Sequence, residues 1–255
     1  MRCIGIIALN TFRENLRDKV LYNLLLFSAL LIVASMILGA LTVAEQEKIV
    51  TDMGLAAINI IGVIIAILVG IGLVSKEIER RTIYTIMARP ISRAQFLLGK
   101  YLGLMVTLSV NVLIMLGVFL LTLWWSRASI HVSLLQAVGL ILVELLVVTA
   151  LALFFSTFSS TMVSASMTLG LYLIGHLTPD LKGIVENSQH EVAALLMTGI
   201  YYVCPNLEML NVKGQASAGV SIPVSYQVAA TCYGVLYAAL LLTAACAIFH
   251  RRDFK

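Results

Sequence analysis

The sequence predicts an all-α polytopic membrane protein with six transmembrane helices, and three observations predict it. Of the 255 residues, 60% are hydrophobic and only 12% charged, with a mean hydropathy of +1.00. A soluble domain averages about 25% charged residues, so this chain lacks the charge to cover a water-facing surface of ordinary size. The apolar residues fall in runs of about 20, the length a helix needs to cross a bilayer. Barrel strands would read as alternating segments of about ten, and lipid admits only helices and closed barrels. Finally, the charges segregate. With six spans, thirteen of the seventeen Lys and Arg fall on one side, leaving Lys48, Arg127, Lys182 and Lys213 on the other. By the positive-inside rule the rich side is cytoplasmic, and both termini lie there.

Taken in order, residues 1–21 carry Arg2, Arg13, Arg17 and Lys19 among Ile4, Ile7, Phe12, Leu16 and Val20. Apolar positions at roughly helical spacing with charges between them predict an interfacial amphipathic helix. Span 1 is Tyr22 to Val43 and span 2 is Met53 to Val74. A charged loop at 75–95 follows, then span 3 from Phe96 to Leu123, closed by the belt residues Trp124 and Trp125. Span 4 is Val132 to Ser156. A Ser/Thr-rich turn leads to span 5, Met162 to Leu177. The polar segment 178–226 is external and contains Val192 to Val203, an apolar stretch too short to cross, which reads as re-entrant or interfacial. Span 6 is Gln227 to Phe249. The whole chain, 1–255, reads as one transmembrane domain.

The charged loop is the chain's least lipid-soluble stretch. Glu77, Glu79, Arg80 and Arg81 open a helix that Arg89-Pro90 ends, because the residue before proline is pushed out of the α region. Pro90 suits the first turn of the next helix. Helix, turn, helix is a shape that fits a groove on a soluble partner. A basic loop that only sets topology would share the composition.

Glu144 sits at the centre of span 4, where an ionised carboxylate is expensive and a functional role is the default hypothesis. Asn59 in span 2 and Asn111 in span 3 are the hydrogen-bond partners at similar depth. Two roles stay open for Glu144: it lines or gates a path, or it orders the bundle through an interhelical hydrogen bond. The four cysteines are scattered with no C-x-x-C, which argues against a disulfide framework or zinc site. A bond between Cys204 and Cys232 is conceivable on topology alone. His131, His176 and His190, with Met197 and Met209, are of types that suit copper. Their spacing makes no motif, and methionine in such a chain packs cores. The chain has no G-x-x-x-x-G-K-[ST] phosphate loop. The basic net charge reports orientation, not nucleic acid.

The loop EIERRTIYTIMARPISRAQFLLGKYLG resembles the cytoplasmic loop of ABC-2 type permeases, the membrane subunits of type-2 ABC exporters. ALALFFSTFSSTMVSASMTLGLYLIG and the terminal AIFHRRDFK are similar to the same family. YYVCPNLEMLNVKG resembles the branch associated with multi-copper enzyme maturation. The resemblance spans essentially the whole chain and implies specific roles. Residues 1–21 would be a connecting helix. Glu77, Glu79, Arg80 and Arg81, with Ala88, Arg89, Pro90, Ser92 and Arg93, would meet a separate ABC ATPase subunit through a coupling helix. Pro179, Asp180, Pro205 and Asn206 would belong to external re-entrant helices that gate the exit. The residues themselves, apart from the resemblance, place Glu144, Asn111 and Asn59 on the candidate path. No cofactor is expected on this chain and no enzyme site of its own; ATP and Mg would act through the ATPase. A second permease copy or homologue would pair with it in the bacterial inner membrane.

Three functions compete. The leading one is a permease of an ATP-driven exporter for an amphipathic or hydrophobic cargo. A proton-coupled secondary transporter with Glu144 as carrier would need no ATPase, and inverted repeats would favour it; none is seen. A membrane scaffold for a periplasmic maturation factor would bind an external companion without flux.

Overall fold

The computed structural model describes residues 2–40, 46–79, 92–178 and 204–251. These are helical apart from turns and connecting segments, with no strand among the described residues. Five of the described helices are long and apolar enough to cross a membrane.

Helix α1, Arg2–Asn15, ends in a turn at Leu16 and Arg17. Asp18 then caps α2, Lys19–Ala40, by accepting the Val20 N–H at 3.0 Å. An aspartate at this position satisfies one of the orphan donors of a helix start. Helix α1 does not simply float on a surface. It packs along α4, Arg93–Trp125, where two glycines let the backbones meet. A Cβ at Gly99 would lie 2.7 Å from Ile7, and one at Gly103 would lie 2.6 Å from the Ala8 carbonyl. Asn15 Nδ2 donates to Thr107 Oγ1 at 3.2 Å, and Lys100 Nζ lies 3.5 Å from Glu14.

Helix α3, Gln46–Glu79, has 34 residues and is about 51 Å long, well beyond the bilayer's hydrocarbon thickness. Its backbone runs without a break through Val74 and Ser75. The onset of charge at Lys76 is therefore not a helix boundary. Expected span 3 begins earlier than its apolar run, because Ser92 and Gln95 form a capping box that starts α4 at Arg93. At its far end Arg127 takes a left-handed φ of 55°. The Ala128 and Arg127 N–H groups bond back to Leu123 and Trp124, a Schellman-type stop without glycine.

Helix α5, Val132–Ser156, is the hub. It packs against α3, α4, α6 (Thr161–His176), α7 (Lys213–Ser217) and α8 (Val224–Arg251). Among the described residues, helix α2 packs chiefly against α3 and α4 and leaves Leu26, Leu30 and Ile37 exposed, as a lipid-facing helix should. Lipid gives apolar faces no hydrophobic drive to associate, so close packing and polar contacts hold such a bundle.

The six-span expectation is met only in part. The expected fifth span is α6, with 16 residues and a length of about 24 Å, short of a full crossing. Its physical stop is visible: α6 ends inside the bundle, against the segment that begins at Cys204. The four cysteines are free thiols, so the conceivable Cys204–Cys232 bond is absent. Val192 to Val203 lies outside the described residues.

Candidate functional site

Glu144 lies twelve residues from either end of α5, about 18 Å from each, and is fully buried. Three side chains from two neighbouring helices surround it. Asn59 of α3 donates its Nδ2–H to Glu144 Oε2 at 2.7 Å. Tyr172 of α6 donates its hydroxyl to Asn59 Oδ1 at 3.1 Å. His176, one turn further along α6, brings Nε2 to 3.4 Å from Glu144 Oε1, while its Nδ1 lies 3.2 Å from the Tyr172 carbonyl oxygen. The contacts close a ring through three helices. An isolated carboxylate at this depth would cost roughly 3 kcal/mol. The Asn59 and Tyr172 hydrogen bonds lower that cost and tie α3, α5 and α6 together, while Glu144 Oε1 and His176 Nε2 face each other without a hydrogen bond.

The ring is covered from the side of the α4–α5 turn. The Leu207 N–H donates to the Gly175 carbonyl at 3.0 Å, and a Cβ on Gly175 would strike Pro205 O at 2.7 Å. The Asn206 N–H donates to Tyr233 Oη at 2.8 Å, and Asn206 Oδ1 accepts the Met209 N–H at the start of a 3-10 turn, Glu208–Leu210. Tyr233 lies nine residues into α8, so the segment dips about 14 Å below that helix's start. Leu207 and Leu210 are buried there, and Tyr226 Oη donates to Met209 O at 2.8 Å. Burial pushes the Cys204 thiol up from its ordinary value. The chain then returns outward through α7 to Gly219, which faces the His131 ring.

Of the residues singled out in the sequence, Glu144 and Asn59 are joined directly. Asn111 is buried in α4 but makes no hydrogen bond to Glu144, and its Nδ2 has no hydrogen-bond partner among the described residues. Pro205 and Asn206 lie in the covering segment; Pro179 and Asp180 lie outside the described residues. Glu77 and Glu79 are on the last turn of α3. Arg80, Arg81, Ala88, Arg89 and Pro90 lie outside the described residues. Ser92 caps α4, and Arg93 Nη1 donates to the carbonyls of Phe249 at 2.9 Å and His250 at 3.2 Å. Tyr172 was not singled out in the sequence, and His176 was weighed only as a metal ligand. The one signal was their spacing of four, which stacks both side chains on one face of a helix. Among the described residues no cluster of three or more His, Cys, Asp or Glu could hold a metal ion.

A bundle of membrane-length helices closed around a buried acid and covered from one side defines a multi-pass helical membrane protein. The family follows from the sequence: residues 6–254 match the model of the ABC-2 family transporter proteins, and the chain belongs to that family. Membership makes it the membrane component of an ABC-type transporter, a component generally without its own ATPase site, and implies an ABC ATPase partner. No curated protein matches the chain.

Proposed function

We propose that the chain is the permease subunit of an ATP-driven exporter in a bacterial cytoplasmic membrane, with both termini cytoplasmic and α6 serving as one of six crossings. A separate subunit hydrolyses ATP with Mg. The loop from Glu77 through Arg93 meets that subunit and passes its motion to α3 and α4. A second permease copy or a homologue completes the pathway, whose cargo is amphipathic or hydrophobic. The Cys204–Leu210 segment is the external gate, and the ring at Glu144 sits beneath it.

One observation supports this reading: a buried carboxylate at mid-depth, held between helices, with the Cys204–Leu210 segment lying over it on the side of the α4–α5 turn. A merely structural acid needs a partner, whereas a gate needs a cover that can leave. Among the described residues, the bonds that hold this cover include Leu207 to Gly175, Asn206 to Tyr233 and Tyr226 to Met209.

Two experiments test it. A mild-detergent pull-down from the native host should bring down a stoichiometric protein with a phosphate loop. A pull-down that yields no ATPase even after cross-linking overturns the ATP-driven reading. In the complex, cysteines placed by Asn206→Cys and Tyr233→Cys and bridged by a short bifunctional maleimide should slow ATP turnover. Unchanged turnover with complete bridging removes the gate assignment.

A further inference from the structure

We propose that Glu144 and His176 hold one labile proton between them, and that this proton latches the Cys204–Leu210 segment onto the end of α6. The consequence for the segment rests on the gate reading above; the proton itself does not.

A backbone carbonyl only accepts, so the contact of His176 Nδ1 with the Tyr172 carbonyl is a hydrogen bond only if Nδ1 carries the hydrogen. In a neutral imidazole Nε2 is then an acceptor. It faces Glu144 Oε1, also an acceptor when the carboxyl is ionised, at 3.4 Å. Oε2 is already served by Asn59, and Asn59 Oδ1 by Tyr172. Every other link of the ring has its donor. The Glu144–His176 link closes only if one more proton is present, on the carboxyl or on Nε2.

Among the described residues the surroundings offer little to replace it. The charges acting on the Glu144 carboxylate, besides His176, come from Lys213 of α7 and Glu208 of the 3-10 turn, opposite in sign. Glu208 also takes the Asn211 amide at 3.0 Å. Tyr172 is the titratable group on α6 itself, and α3 contributes the neutral Asn59. Helix α4 carries no charge between Lys100 and Trp125, α8 none before His250, and α2 none after Lys19.

Removing the proton breaks one O–H or N–H bond and sends the proton to water. It leaves a carboxylate pointed at an imidazole lone pair, and the pair goes from net zero to net −1. The α5–α6 contact then becomes repulsive at His176. The next residue back, Gly175, is the acceptor for Leu207. Loss of the proton thus loosens the hold on the covering segment, and opening and proton release are linked.

Cys204, buried at the head of that segment, is a built-in reporter. The full-length chain in lipid nanodiscs, with Cys3, Cys232 and Cys246 replaced by serine, is labelled with a small maleimide between about pH 5 and 9. The same protein with Glu144→Gln is labelled alongside. Its carboxamide donates an N–H to Nε2 and closes the ring with no labile proton. Dividing the two rates cancels the thiol's own ionisation. The ratio of wild type to E144Q should rise with pH, approaching about tenfold per unit for one linked proton. A ratio that is flat overturns the proposal. If E144Q does not fold, nitrogen NMR of the His176 ring decides, in a chain whose other histidines are replaced by glutamine. Protonation at Nδ1, or at both nitrogens, supports the shared proton. A neutral ring protonated only at Nε2 overturns it, because the carboxylate would then have its donor. Neither readout involves ATP, so failure here leaves the gate reading to the Asn206–Tyr233 bridge.

Discussion

The side-chain amide of Asn59 donates a 2.7 Å hydrogen bond to Glu144 across 85 positions of sequence. Its oxygen takes the Tyr172 hydroxyl at the same time. The amide is therefore used at both ends and its orientation is set by its neighbours. Asn59→Leu removes the Oε2 donor and strands the Tyr172 hydroxyl. The cost of leaving such groups unpaired is about 1 to 3 kcal/mol. The variant should unfold at lower temperature in nanodiscs than wild type, while Asn59→Gln falls between them. Equal melting of Asn59→Leu and wild type would show that the ring contributes nothing to cohesion.

Much of the fold was legible because lipid imposes a length rule on the chain. The runs that became α2, α3, α4, α5 and α8 each had to supply enough apolar residues to cross, and periodicity did not matter. Charge did not mark the limits of helices, and α3 passes through Ser75 without a break. The acid at Glu144 was legible because it has no business in hydrocarbon without a partner. Tyr172 and His176 were not. Their significance is tertiary: they matter because α6 stops at the depth of Glu144, and that stop depends on a segment some thirty residues further on in the chain. The part Gly99 plays was not legible at all. A single sequence does not say what a glycine lets approach.

That approach makes its own prediction. Gly103 lies under the Ala8 carbonyl and Thr11, with no room for a side chain. Gly103→Leu should lever α1 off α4 and break the Asn15–Thr107 hydrogen bond. Protease should then cut near residues 16–18 faster, with α2 to α8 still folded. Thr107→Val, which loses the hydrogen bond but keeps the space, should release α1 far less. If both variants cut alike, the hydrogen bond and not the close approach holds α1.

The covering segment is predicted to be held by countable bonds. Tyr233→Phe deletes the acceptor for the Asn206 N–H and keeps the ring. Loss of one such bond weakens the hold by about 1 kcal/mol, or roughly fivefold in the population of the released state. Maleimide labelling of Cys204 at fixed pH should rise by about that factor. Because burial raises the Cys204 thiol, the thiolate fraction is small at neutral pH in the closed state. Labelling of wild type should accordingly be slow at neutral pH and speed up as the solution becomes alkaline. Gly175→Val, whose side chain would meet Pro205 and Leu207, should raise it further than Tyr233→Phe. No increase in either variant would mean the segment is held elsewhere.

The last prediction concerns Arg93, which resemblance assigns to the ATPase contact and geometry ties to α8. Its guanidinium donates to the carbonyls of Phe249 and His250, and the Phe96 ring stacks on Phe249 with centroids 6.5 Å apart. A cation at a helix C-terminus satisfies orphan carbonyls and complements the helix dipole. The first residue of α4, directly after the charged loop, is thus fastened to the last turn of α8. A push delivered through the loop would move both helices together. Arg93→Ala should fray the end of α8, at a cost of about 1 to 3 kcal/mol for charged hydrogen bonds. Hydrogen exchange of the α8 backbone from Ala245 onward should accelerate. Arg93→Lys keeps the charge but not the planar fork and should recover only part of the protection. In the complex, ATP hydrolysis should persist in Arg93→Ala while its dependence on the permease weakens. Unchanged exchange in α8 together with loss of ATPase binding would place the arginine on the partner, where resemblance puts it, and not on α8.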